Sequence, residues 1–152
     1  MKFHTIIFCF AISNAVHAQM TDYKEYRKTQ VKLICTPQDS STIVNKLNDL
    51  LLLDTSQFTT NLDWYYQDLG WAYYKSFLEL KDSSLLGKSI EAYLNQKEPG
   101  SNDYWNIMHI YFIQHDCENG EKYLTLYKKN TSREFYKERK EQISRIRKRC
   151  EG

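Results

Sequence analysis

The sequence predicts an all-α protein of stacked antiparallel helical hairpins, with about seven helices. Apolar residues recur at spacings of three and four, and no segment shows a convincing period-two alternation. Turn-forming residues divide the chain into lengths of roughly 12–18 residues joined by short connectors, which is the pattern of paired helices. Only 2 prolines and 5 glycines occur in 152 residues, so breaks are few and readable.

The chain opens MKFHTIIFCFAISNAVHAQ, with a lysine, an apolar run and small residues before Gln19. That order predicts a secretory signal peptide over residues 1–18, cut after Ala18, and a secreted or periplasmic protein. Cys9 sits mid-run behind Phe8, which argues against lipidation. Residues 19–152 then form one domain, of a length that supports a proper core. No other stretch reaches the roughly 18 apolar residues of a membrane span, so no transmembrane anchor is expected.

A first helix is expected from Thr21 to about Ile34, ended by Pro37 because the residue before proline is pushed out of helical geometry. Ser40 or Ser41 caps a second, with Ile43, Leu47, Leu50 and Leu51 as its apolar stripe. Asn61 caps a third, running from Leu62 to about Leu80 and opening DWYYQDLGWAYY. Asp82, Ser83 and Ser84 introduce a fourth with Leu86, Ile90, Tyr93 and Leu94 in line, and Pro99-Gly100 breaks the chain. Ser101 or Asn102 starts the fifth. HDCENG turns into the sixth, and Thr131 or Ser132 caps a last helix reaching about Cys150.

The third helix has two apolar faces. Tyr66, Leu69, Gly70 and Tyr73 share one, at i, i+3, i+4 and i+7. The same spacing returns in Tyr104, Ile107, Met108 and Tyr111, followed by Gly120, Leu124 and Tyr127. This pattern resembles the tetratricopeptide repeat family over about residues 62–132, with Tyr for the usual Trp and Met108 for a small residue. In physical terms, Gly70 admits a neighbouring helix while Tyr66, Leu69 and Tyr73 fill the space around it. Ser89 and Tyr93 provide the matching second helix of the first copy. The resemblance implies a scaffold that binds rather than catalyses.

If the hairpins stack, the remaining face lines a concave side. It offers Trp64, Gln67, Trp71, Tyr74 and Lys75 from one copy, and Trp105, His109, Phe112 and Ile113 from the next. Aromatic residues give large contact area at low entropy cost, so this face is the expected site for another protein or an extended peptide. Packing within the core or between copies in a homo-oligomer would use the same residues.

Catalytic signatures are missing: G-x-S-x-G, H-E-x-x-H and glycine-rich phosphate loops do not occur. His109, His115 and Cys117 do not match a metal-site spacing, and no cofactor or metal is expected. The segment 133–150 carries 8 Lys or Arg against 3 Glu. Those interleaved acids and the leader argue against nucleic acid as a partner, and a solvated capping helix accounts for the charge. Cys117 opens one helix and Cys150 closes the next, so a bridge there would staple the last hairpin; Cys35 to Cys117 is the competing pairing. The function expected is a peptide-binding scaffold. A periplasmic immunity-type inhibitor of a toxin enzyme is the alternative, and a self-associating envelope protein a third.

Overall fold

A computed structural model describes residues 22–24, 27 and 40–150. The leader over 1–18, most of the helix expected over 21–34, and Cys35 lie outside the described residues. Within them the protein is all-α, with six α-helices and no strand. These are α1 (Ser40–Leu51), α2 (Leu62–Leu80), α3 (Ser84–Leu94), α4 (Ser101–Ile113), α5 (Cys117–Asn130) and α6 (Arg133–Arg147). Short 3-10 turns follow α1 and α6.

The helix ends fall where the polar punctuation places them. Ser132 Oγ accepts the Phe135 N–H at 3.2 Å, and Asp116 Oδ1 accepts that of Asn119 at 3.1 Å. Asp82 Oδ1 accepts from the Ser84 N–H at 3.0 Å ahead of α3. Asn61 holds the N-cap position of α2 but makes no side-chain cap bond. Its backbone is left-handed (φ 58°), and its amide donates to Asp22 Oδ1 at 2.7 Å instead. Helix α2 ends on left-handed Lys81, whose N–H reaches the Phe77 carbonyl at 2.8 Å.

Successive helices pack in order: α1 on α2, α2 on α3, α3 on α4 and α4 on α5, with α6 against α4 and α5. One apolar cluster joins α1 and α2 around Leu47, Leu50, Tyr65, Leu69 and Ala72, with Tyr23 and Phe58 buried in it. A larger one runs from α3 to α6 through Tyr93, Ile107, Met108, Ile110, Phe112, Leu124, Tyr127, Ile143 and Ile146.

Two glycines set the spacing inside the tightest pairs. A Cβ on Gly70 would lie 2.9 Å from three ring carbons of Tyr93, and one on Gly120 would lie 2.6 Å from the Phe112 ring. Each glycine therefore lets an aromatic ring lie flat on a helix backbone, as expected for Gly70. Ser89 Oγ, fully buried, donates to the Gly70 carbonyl at 2.7 Å and locks α3 to α2 at the same point.

Cys117 and Cys150 are bonded, with Cα atoms 5.9 Å apart. Helix α6 stops at Arg147, and the 3-10 turn Lys148–Cys150 carries the chain back to the start of α5. His115, left-handed and exposed, donates Nδ1–H to the Arg149 carbonyl at 2.8 Å and fixes that turn. Glu121 and Arg147 pair across the same hairpin.

Candidate binding cleft

Helices α2 and α4 are linked through α3 and meet through side chains rather than by close backbone packing. Between them lies a cleft of about 520 Å³. Gln67, Asp68 and Trp71 face it from α2, and Asn102, Asp103, Trp105 and Asn106 from α4, over the buried Tyr93 of α3. Arg27 and Lys46 complete one side, and Arg139 of α6 the other.

Helical spacing accounts for the α2 contribution: positions 67, 68 and 71 fall on one side of the helix. Asp68 is a carboxylate inside an aromatic run, and a buried charge there needs partners. Tyr23 donates its hydroxyl to Oδ2 at 3.1 Å, and Arg27 reaches Oδ1 at 2.9 Å. Asp103, 1 % exposed, accepts the Gly100 N–H at 2.8 Å and so also serves the start of α4. Gln67 Nε2 spans the cleft to Asp103 Oδ1 at 3.2 Å. Asn106 donates to the Tyr93 hydroxyl at 3.0 Å. Burial, then the nearby Asp103 charge, pushes the Tyr93 phenol far above the ordinary tyrosine range, so it stays neutral.

The aromatic rings are already engaged. Trp105 has the Tyr127 ring edge-on at 5.2 Å and the Arg139 guanidinium 4.4 Å from its centroid. Trp71 has Lys46 at 4.8 Å and Lys75 at 5.7 Å. These are cation–π distances.

Of the residues expected on a single binding face, the cleft gathers three: Gln67, Trp71 and Trp105. Lys75 is beside it, over Trp71. Trp64 is exposed elsewhere, beneath Arg27 at 4.8 Å and Lys24 at 5.6 Å, in a separate half-open cleft of about 620 Å³ with Tyr66 and Lys97. Four residues expected on that face lie elsewhere. Phe112 is 1 % exposed, because Gly120 opens a place for its ring against α5; it is core. Tyr74 is buried and shares a 3.1 Å hydrogen bond with His109 Nδ1, so that pair joins α2 to α4 away from the cleft. Burial, with Arg149 nearby, holds the His109 imidazole below its usual range. Ile113 packs against the larger core cluster.

The residues of the repeated spacing divide by burial. Leu69, Gly70, Ile107, Met108, Gly120, Leu124 and Tyr127 are buried; Tyr66, Tyr73, Tyr104 and Tyr111 are half-buried, with Tyr111 stacked on Tyr123 at 5.4 Å.

Sequence reasoning missed the polar lining, namely Arg27, Lys46, Asp68, Tyr93, Asn102, Asp103, Asn106 and Arg139. One signal was available: a lone acid within a run of aromatics, as at Asp68, demands a partner. Among the described residues no group of three or more His, Cys, Asp or Glu could hold a metal ion, and no helix is long and apolar enough to cross a membrane. No protein-family model matches the chain, and no match was found among curated proteins or solved structures.

Proposed function

We propose that this is a secreted or periplasmic peptide-binding module whose α2–α4 cleft takes an extended segment of a partner protein. The observation that carries the reading is the cleft itself. It is a half-open cleft of about 520 Å³ with two tryptophans and a fixed set of hydrogen-bonding groups, within the size range of ligand sites. The groups are preorganised: Gln67, Asp103, Asn106 and Tyr93 hold one another in place, so little ordering cost remains for binding.

The tetratricopeptide-like pattern supports the same reading, since the Gly70–Tyr93 and Gly120–Phe112 contacts are the close helix approaches that such repeats require. Binding without catalysis fits the two carboxylates, because each is held by donors of the chain rather than aimed at a substrate. The bonded Cys117–Cys150 pair suits an oxidising compartment, and the leader predicted over 1–18 would deliver the chain there.

The test is selection of a displayed peptide library on the purified protein, followed by a cleft-blocking variant. Asn102 is exposed at the start of α4, so Asn102→Trp fills the mouth without removing a core contact. Trp105→Ala is a poorer choice, because Trp105 is only 7 % exposed and its truncation costs about 3–5 kcal/mol of stability. Selected peptides should bind Asn102→Trp at least about tenfold more weakly, with the melting temperature unchanged. Equal binding by both proteins would remove the cleft as the site.

A further inference from the structure

The charges lining the cleft identify what the bound segment must carry. Resting on the reading of the cleft as a peptide site, we propose that it selects an acidic side chain, aspartate or glutamate, and that Arg139 takes the carboxylate.

Five charged groups line the cleft: Arg27, Lys46, Arg139, Asp68 and Asp103. Cations outnumber carboxylates, and both carboxylates are committed. Asp68 is held by Arg27 and Tyr23, and Asp103 by Gln67 and the Gly100 N–H. Arg27 is spent on Asp68 in turn. Arg139 is different: among the described residues it has no carboxylate within ion-pair reach. Its neighbours three and four positions away on α6 are Phe135, Tyr136, Gln142 and Ile143, so the helix supplies none either.

What Arg139 does have is a platform. Its guanidinium lies over the Trp105 ring at 4.4 Å, and Trp105 is braced from another direction by Tyr127. A guanidinium stacked on an indole keeps its N–H donors at the rim, where a carboxylate can accept two of them in parallel. Arg139 is itself half-buried, which strengthens any ion pair it makes relative to a fully solvated one. Lys46, buried and 4.8 Å from the Trp71 ring, lines the same space. A basic ligand is disfavoured by the same arrangement. The protein's own cations sit at both indoles, where a ligand cation would otherwise find its π partner.

The experiment uses a selected peptide made with an acetylated N-terminus and an amidated C-terminus, in a glutamate form and the matching glutamine form. Blocked ends remove the terminal carboxylate as a competing anion. The glutamate form should bind about tenfold more tightly, and the advantage should shrink as NaCl rises from about 50 to about 500 mM. Arg139→Gln should abolish the advantage, bringing the ratio of the two affinities within the variant to about twofold or less. Arg139→Lys, which keeps the charge but loses the planar fork, should retain part of it, and far-UV circular dichroism checks that both variants fold. Equal affinity of the two forms for the native protein, or a glutamate preference that survives Arg139→Gln, overturns the proposal and leaves the cleft as a peptide site. If neither form binds, the peptide-site reading falls and the proposal with it.

Discussion

Placing a methyl group at Gly70 tests how closely α2 and α3 approach. The Cβ of an alanine there would stand 2.9 Å from three carbons of the Tyr93 ring, inside van der Waals contact. Tyr93 cannot retreat easily: it is fully buried, and its hydroxyl accepts from Asn106. Nor can α3 slide freely, since Ser89 is bonded to the Gly70 carbonyl. Overpacking of this kind costs about 1–3 kcal/mol, whereas replacing glycine by alanine within a helix contributes about 1 kcal/mol of propensity. The net expectation for Gly70→Ala is a loss of up to about 2 kcal/mol, or up to roughly 8 °C in melting temperature for a domain of this size. Gly87 is the internal control. It lies in α3 with nothing within 4 Å of a built Cβ, so Gly87→Ala should be neutral or stabilising by up to about 1 kcal/mol. Urea and thermal unfolding followed by circular dichroism read both. If Gly70→Ala stabilises the protein as Gly87→Ala does, the close approach of α2 and α3 is wrong.

Two further outcomes follow from the same structure. The His109 imidazole is held below its ordinary pKa, so as pH falls through about 6.5 the unfolded chain takes up a proton before the native state does, and stability declines. Urea midpoints between about pH 5.5 and 7.5 should fall on acidification, and His109→Gln should flatten that slope; an unchanged slope in the variant refutes the assignment. The Cys117–Cys150 bridge spans 33 residues, for which loop entropy gives about 4 kcal/mol, so Cys117→Ser with Cys150→Ser should lower stability by about 2–4 kcal/mol. A non-reducing peptide map should link those two cysteines, and a map joining Cys35 to either would contradict the structure.

Much of the fold could be read from the sequence because local chemistry decides it. Ser132 and Asp116 cap helices with their own side chains, Pro99-Gly100 breaks one, and Gly70 stands where a neighbour must approach. The site was harder, because whether an aromatic ring is free depends on residues distant in sequence. Phe112 looked available on the helical wheel of α4, yet Gly120 buries it. Trp105 looked like contact surface, yet Arg139 arrives from α6 to cover its ring. The rule that groups Trp64 with Trp71 is helical periodicity, and periodicity alone does not separate the two clefts that these rings line. The polar lining is hard to see in the sequence because Asp103 reads as an ordinary first-turn acid, Asn102 as a helix start and Asn106 as a residue of a polar face. Only the approach of α2 and α4 across α3 turns them toward one space.

A partner segment entering between α2 and α4 would be reported separately by the three tryptophans. Trp71 and Trp105 line the cleft, whereas Trp64 lies outside it. In a titration with a selected peptide, the indole N–H resonances of Trp71 and Trp105 should shift in nitrogen–proton correlation spectra while that of Trp64 stays in place. A shift confined to Trp64, or none at the two cleft indoles under saturating peptide, would contradict the account.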